Sequence, residues 1–237
     1  MKVLVTAGGT EEPVDGVRRL CNTSTGATGA VLARRFSELG AEVVLLHAAR
    51  ARVEAVEVER ASFVTFAELE AALRRLLGER DWDAVVHLAA VADYTVTSIE
   101  IDGRPQPRGR RGKIGSGHDV VLRLAPTRKL IDSLRTWSRN PAITVVGFKL
   151  TDDPDPTERE SQIRRLLDRG SADLVVHNDL SEITDANHRA EIWQGSGRLA
   201  RTDTKEELAD QLFRLLATGA GGADAKGGRA PTEELKR

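Results

Sequence analysis

Two glycine-bearing elements near the start of the chain have the residue types of an anion-binding backbone. Thr6-Ala7-Gly8-Gly9-Thr10 ends an apolar run, and Asn22-Thr23-Ser24-Thr25-Gly26-Ala27-Thr28-Gly29 opens a stretch of helical spacing. Small residues let a ligand approach the main chain, and free N–H groups at a helix N-terminus suit a phosphate. Gly8, Gly9, Thr10, Ser24, Thr25 and Gly26 are therefore nucleotide-binding candidates. Three later elements fall where a parallel sheet holds its ligands. Ala89-Ala90-Val91-Ala92-Asp93-Tyr94 follows an apolar run and places a carboxylate at its mouth, while Val146-Gly147-Phe148-Lys149 ends another run with a ring able to stack on a base. Arg165 and Arg169, at i and i+4, share one face of a helix. Taken singly, each has a bland alternative: a tight turn, a helix cap, a core aromatic, a solvated charged face.

The same spacings exclude other chemistries. A compact G-x-G-x-x-G is absent, because a loop carrying Glu11, Glu12, Asp15, Arg18 and Arg19 separates the glycine elements, which argues against a standard dinucleotide site. Gly112-Lys113 is followed by Ile114 instead of Ser or Thr, so no P-loop is present. Tyr94 has Ser98 four positions on, not the lysine of a short-chain dehydrogenase. The histidines, His47, His87, His118, His177 and His188, lack metal-ligand spacing, and the single Cys21 can form neither an internal disulfide nor a multi-cysteine zinc site.

The elements that must position these residues alternate along the chain. Apolar runs Lys2 to Thr6, Glu42 to His47 and Ala84 to Ala90 are separated by helical patterns over Gly26 to Leu39 and Phe66 to Leu77, the latter opened by a Thr65/Glu68 capping box. Further strands are expected at Asp119 to Leu124, Ile143 to Lys149 and Asp173 to Val176, with helices near Thr127 to Ser138 and Thr157 to Arg169. A hairpin over Ala190 to Arg201 and a helix from Lys205 to Leu216 complete the pattern. This predicts an α/β fold, a doubly wound, Rossmann-like, mostly parallel sheet with helices on both faces. The stretch Asp93 to His118 reads as irregular and long enough to be an active-site flap, about residues 95–118. One domain over 1–217 is expected, followed by a disordered tail, 218–237, rich in Gly, Ala and charge. Lys+Arg number 35 against 36 Asp+Glu, a net charge of -1 that removes the electrostatic case for a nucleic-acid binder. No run is long and apolar enough for a membrane span, and cytoplasmic residence is the expectation.

In series, these elements resemble the phosphopantothenate cysteine ligases of coenzyme A biosynthesis. The resemblance runs through Thr6 to Thr10, Glu12-Pro13-Val14-Asp15-Gly16-Val17-Arg18, Asn22 to Gly26, Ala89 to Tyr94, Gly112-Lys113-Ile114-Gly115-Ser116, Val146 to Leu150, Ala172-Asp173-Leu174-Val175-Val176-His177-Asn178-Asp179 and His188-Arg189-Ala190, in the family's order. It is most similar to the stand-alone bacterial form, for which no flavin is expected. The resemblance implies a two-step reaction. The carboxylate of 4'-phosphopantothenate attacks the α-phosphate of CTP, or of ATP, giving an acyl-nucleotidylate and pyrophosphate, and the cysteine amine then displaces the nucleoside monophosphate. It also implies roles. Asn22 would contact the intermediate, Lys113 on the flap the triphosphate, and Arg18 the acid substrate. Asn178 and Asp179 would lie on the substrate side. Ala89, Ala90, Asp93, Phe148, Arg165 and Arg169 would face the nucleotide, whose phosphates would carry Mg2+. A homodimer and a separate decarboxylase partner are further implications. The flap holds one lysine where many fused ligases have Lys-x-Lys-Lys, and His177 stands where relatives often have alanine. Two competing readings remain: an NADP-dependent reductase with Arg50 on the ribose phosphate, and a non-catalytic nucleotide sensor of the same fold.

Overall fold

A computed structural model describes residues 1–53, 56–106, 112–153, 155–183 and 188–219. The expected tail from 220 onward, the segment 107–111 of the expected flap, and positions 54–55, 154 and 184–187 lie outside the described residues.

The chain runs β1 (Lys2–Ala7), a small hairpin of β2 (Glu11–Pro13) and β3 (Arg19–Cys21), α1 (Ala27–Glu38), β4 (Glu42–Ala48), β5 (Glu59–Phe63), α2 (Phe66–Glu79) and β6 (Ala84–His87). Then follow β7 (Tyr94–Ile101), β8 (Arg104–Gln106), β9 (Val120–Pro126), a 3-10 turn at Leu130–Ser133 and the one-turn α3 (Leu134–Trp137). The last part comprises β10 (Thr144–Thr151), α4 (Pro156–Asp168), β11 (Leu174–Asp179), a second 3-10 turn at Leu180–Glu182, β12 (Ala190–Gln194), β13 (Gly197–Thr202) and α5 (Lys205–Ala217). An eight-stranded sheet has the order β13-β12-β11-β10-β6-β1-β4-β5, antiparallel only where β12 meets β11 and β13. Its six parallel strands follow the order of the doubly wound dinucleotide-binding folds, with the reversal between β1 and β6. Ligands of open α/β sheets bind at that reversal, beyond the carboxyl ends of the strands.

The central strands are near-continuous apolar runs because both faces are covered. Val3, Leu4, Val5, Val85, Val86, Val146, Val175 and Val176 have no measurable exposure. Phe36 of α1 meets Phe213 of α5, with ring centroids 5.8 Å apart, which ties those helices together over one face. Trp82 is fully buried below α2, and its indole N–H reaches the Leu76 carbonyl at 2.7 Å, so the one polar atom of that ring is satisfied. Helices α2 and α5 open alike: the Thr65 and Thr204 hydroxyls accept the Glu68 and Glu207 N–H, and those glutamates accept the Val64 and Asp203 N–H in return. Truncating a core leucine such as Leu45 or Leu73 would cost about 2–5 kcal/mol.

Several expectations are corrected. The first part of the stretch after Asp93 is not irregular: β7 pairs with β8 and β9 in a separate antiparallel sheet of order β8-β7-β9, while residues 112–118 form no strand or helix. The run Asp119 to Leu124, expected in the main sheet, belongs to that second sheet. β5, with the polar sequence Glu-Arg-Ala-Ser-Phe, is a strand that apolar patterning misses. The helix expected over Thr127 to Ser138 is a 3-10 turn followed by a single α turn.

Candidate active site at the sheet reversal

Two chambers open at the carboxyl ends of β1, β6, β10 and β11. The larger, about 890 Å³, lies toward α4; the smaller, about 230 Å³, lies at the N-terminus of α1; both have Thr23, Ala89, Ala90, Phe148, Lys149 and Leu150 in their walls. Strand register sets which side chains share a face of the sheet. Thr6, His87 and Gly147 stand side by side, as do Lys149 and His177 one pleat further along, and alternation turns all of them to one face. Phe148, Leu150 and Asn178 turn to the other face.

The small chamber is built from backbone. Gly8 turns the chain out of β1 with φ +82°, and Gly29 lets α1 lie on β1, since an added Cβ would sit 2.5 Å from the Ala7 Cβ. Gly26, with φ +74°, opens α1 between them, and an added Cβ there would sit 2.7 Å from the Ala51 Cβ, so all three glycines permit close internal packing. The β2–β3 hairpin separates Gly8 from Gly26 in the chain. Ser24, Thr25 and Gly26 line this chamber, as do Asn178 and His188. His188 Nε2 lies 3.1 Å from the Thr28 hydroxyl, and burial, aided by Lys205, lowers the proton affinity of its ring. Gly9 and Thr10 act from behind. The Thr10 N–H donates to the Ala90 carbonyl and its hydroxyl accepts the Ala92 N–H at 2.8 Å, which fixes the segment after β6.

The large chamber is built from charged side chains. Arg128, Lys129, Lys149, Arg165 and Arg169 line it against the carboxylates Asp93 and Glu158. Most of these cations already hold a carboxylate: Lys129 holds Asp93, Arg128 holds Glu70, Arg165 holds Glu158 at 2.5 Å and Arg169 holds Asp132 at 3.3 Å. Burial first, then neighbouring Lys129, pushes the Lys149 ammonium below its usual range. Such a chamber offers a polyanion positive charge in a partly desolvated setting. Asn22 lines it too, its amide N–H donating to the Val91 carbonyl at 3.1 Å. Sequence reasoning passed over Lys129 and Lys149. Lys149 was quoted beside Phe148 without a role, and its signal is that it belongs to the opposite pleat; Lys129 sits in a 3-10 approach that carries no periodic signal.

Arg18, Lys113 and Asp179 do not line either chamber. Asp15 is buried under the β2–β3 turn and accepts the N–H groups of Val17, Arg18 and Ile114 and the Arg18 guanidinium at 2.5 Å. The Ile114 N–H, foremost among these bonds, holds the Asp15 carboxyl well below the ordinary carboxylate range. Arg18 also donates to the Ile114 carbonyl, and Ile114 is buried, so the segment that carries exposed Lys113 is latched onto the hairpin. Asp179 faces a separate cavity of about 240 Å³, where Ser181 and Arg159 hold its carboxyl down to about 2. Among the described residues no group of three or more His, Cys, Asp or Glu side chains is placed to hold a metal, and no helix is long and apolar enough to cross a membrane.

A family model described as the C-terminal domain of DNA/pantothenate metabolism flavoproteins matches residues 1–219. The coenzyme A biosynthesis bifunctional protein CoaBC of Thermococcus kodakarensis is 32% identical over 213 residues, covering 90% of this chain and 50% of that protein. Its namesake in Escherichia coli K12 is 25% identical over 224 residues, covering 92% of this chain and 52% of the relative. The chain thus spans about half the length of these curated relatives. Among solved structures, the DNA/pantothenate metabolism flavoprotein of Streptococcus pneumoniae superposes with a TM-score of 0.81 at 28% identity, covering 92% of this chain and 99% of that one. A Cab2 variant in complex with phosphopantothenate-cysteine shares the fold at 19% identity, with a TM-score of 0.70 over 92% of this chain and 88% of its own. The close-packed glycines and the paired chambers thus stand in a chain that belongs to the family of DNA/pantothenate metabolism flavoprotein C-terminal domains.

Proposed function

We propose that this chain ligates cysteine to 4'-phosphopantothenate at the expense of a nucleoside triphosphate, CTP in preference to ATP. The observation that carries the reading is the pair of adjacent chambers at the sheet reversal, one walled by cations and one by helix N-terminal backbone. The nucleotide takes the large chamber. Lys149, Lys129, Arg165 and Arg169 face its phosphates, exchanging their internal carboxylates for phosphate oxygens, and Phe148 packs on the base. Ala89, Ala90 and Asp93 border the ribose and base, and Gly8, Ser24, Thr25 and Gly26 supply anion-binding backbone from the small chamber beside it. The acid and cysteine approach from the side of Asn178. Magnesium enters as counter-ion on the nucleotide's phosphates and neutralises part of their charge.

In the first step a carboxylate oxygen of the acid attacks the α-phosphorus, the bond to the bridging oxygen breaks, and pyrophosphate leaves. The cysteine amine then attacks the acyl carbon, the nucleoside monophosphate departs with the electron pair of the broken C–O bond, and the amine loses a proton. Catalysis here is chiefly alignment and charge stabilisation. Asn22 is assigned to the acyl-nucleotidylate, whose oxygens its amide reaches from the chamber wall. Asp179 is assigned to the substrate side indirectly, as the carboxylate that fixes the strand end carrying Asn178.

Lys113 is assigned to the triphosphate and Arg18 to the acid. Because both lie outside the chambers of one chain, the active species is proposed to be a homodimer in which a second copy presents the latched segment. One face of the β7–β9 sheet supports this, since Tyr94, Val120 and Leu124 are exposed side chains that alternation turns to the same side of paired strands. The domain is proposed to end near Ala217.

Product analysis tests the reaction. Incubation with CTP, 4'-phosphopantothenate and cysteine should yield phosphopantothenoylcysteine with CMP and pyrophosphate in equal amounts. CDP with inorganic phosphate would point instead to an acyl phosphate, and no amide product would overturn the ligase assignment.

A further inference from the structure

His87 closes the inner end of the large chamber, and the ligation as described gives it no part. Its ring is 7% exposed, and burial lowers its pKa to about 4, so it is neutral at physiological pH. The question is which nitrogen carries the proton. The Thr6 hydroxyl, itself fully buried, accepts the Ala89 N–H at 3.0 Å and lies 3.0 Å from His87 Nδ1. If Nδ1 bore the proton, that hydroxyl would receive two N–H donors while its own proton met no acceptor among its described bonds. A sealed, unpaired donor is costly. The consistent arrangement runs from the Ala89 N–H to Thr6 Oγ1, and from the Thr6 hydroxyl to His87 Nδ1. The remaining imidazole proton is then on Nε2.

Among the described residues Nε2 has no hydrogen-bond partner, yet no sealed side-chain nitrogen or oxygen is left unsatisfied. Nε2 therefore meets solvent, and the opening that His87 lines is the large chamber. Around it the walls are apolar. Leu130 and Ile131 line the same chamber, and Gly147, beside His87 in register, leaves so little room that an added Cβ would lie 2.7 Å from the Ile131 Cδ1. Phosphates are drawn to the cations of the chamber, whereas a neutral N–H between apolar walls suits a neutral, flat acceptor.

We propose that His87 Nε2–H is a ligand-facing donor that bonds a carbonyl oxygen or ring nitrogen of the nucleotide's base, with Thr6 as the positioning residue that fixes the tautomer. The proposal rests on the ligase reading for the presence of a nucleotide in this chamber. It adds a neutral recognition contact to a site otherwise described by charge, and it makes the segment Thr6–Ala89–His87 one hydrogen-bonded unit spanning the sheet reversal.

Two-bond proton–nitrogen correlation spectra of 15N-histidine-labelled protein, assigned by comparison with His87→Gln, test this. The expected spectrum has His87 protonated at Nε2 and unprotonated at Nδ1, with the Nε2 resonance shifting on saturation by CTP. His87→Phe should weaken CTP about tenfold, the scale of one hydrogen bond in a desolvated site, while leaving inorganic tripolyphosphate binding unchanged. Thr6→Val should give a mixture of tautomers and a smaller loss of CTP affinity. A proton on Nδ1 in the wild type, or an unmoved Nε2 at saturating CTP, overturns the proposal alone, whatever the behaviour of His87→Phe or Thr6→Val. Equal losses for CTP and tripolyphosphate in His87→Phe overturn it as well. If the wild-type chain binds no nucleotide, the ligase reading falls and takes this contact with it.

Discussion

The two chambers at the sheet reversal are built by different means. The α1 chamber is made of main chain: Gly8 turns, Gly29 allows helix and strand to touch, and the Ser24–Gly26 turn offers N–H groups and hydroxyls. The α4 chamber is made of long side chains that neutralise one another until a ligand arrives, as in Lys129 with Asp93 and Arg165 with Glu158. Backbone sites are preorganised, and their cost is met during folding; side-chain sites must break internal pairs to bind. Substitutions in the first should therefore act on stability, and substitutions in the second on ligand affinity and rate.

The largest expected effect is in the α1 chamber. Gly29→Val places carbon against Ala7, and we expect a loss of about 3 kcal/mol by urea denaturation; an unchanged midpoint would mean that α1 does not depend on this close approach. Next comes Lys149→Met, which removes the chamber cation with the desolvated ammonium. Single-turnover pyrophosphate release should slow about a hundredfold with little change in urea midpoint, and a loss mainly of stability would erase the contrast between the chambers. Lys113→Gln should slow the same step less, because the flap side chain is exposed. Asn22→Asp is expected to reduce turnover about tenfold while leaving the nucleotide Kd close to wild type. An equal effect on both would remove Asn22 from the intermediate.

The smallest effect is a pH dependence that draws on both chambers. His87 and His188 each have a proton affinity depressed by burial, His87 to about 4. The unfolded chain therefore binds more protons than the folded one below about pH 6.5, and stability falls as pH is lowered through that window toward about 4. At pH 6 the loss should be about 1 kcal/mol relative to pH 8, and His87→Phe should flatten part of the slope. A profile flat from pH 8 to pH 5 would contradict the neutral, buried state of these rings.

The contrast also explains what could be read from sequence. The parallel α/β sheet was legible because buried central strands are near-continuous apolar runs and Thr65/Glu68 announces its helix. The glycine elements read as anion binders from residue type, whereas the close packing of Gly8, Gly26 and Gly29 against Ala48, Ala51 and Ala7 shows only in the folded chain. β5 was missed because an edge strand with a polar face lacks the apolar run of its neighbours. The small β7–β9 sheet reads as loop because Gly103, Pro105 and the basic segment after it read as breakers, whereas the strands are set by cross-strand contacts such as Arg123 with Glu100. Lys129 and Lys149 were silent for a different reason. A cation's membership of a chamber depends on strand register and on which ion pair it makes, and neither is a property of local spacing. Arg18 was legible as a polar residue of interest, but its partner Asp15 and the flap segment at Ile114 are almost a hundred residues apart in the chain, and that contact is purely tertiary.

The central claim is that the two chambers together run one ligation, and pyrophosphate release tests it most directly. Purified protein with magnesium would be assayed with CTP or ATP, with and without 4'-phosphopantothenate, and with and without cysteine. The account predicts no release without the acid, a burst of one pyrophosphate per active site with acid and CTP alone, and continuous turnover once cysteine is added. Release that ignores the acid, or none with either nucleotide, would contradict it.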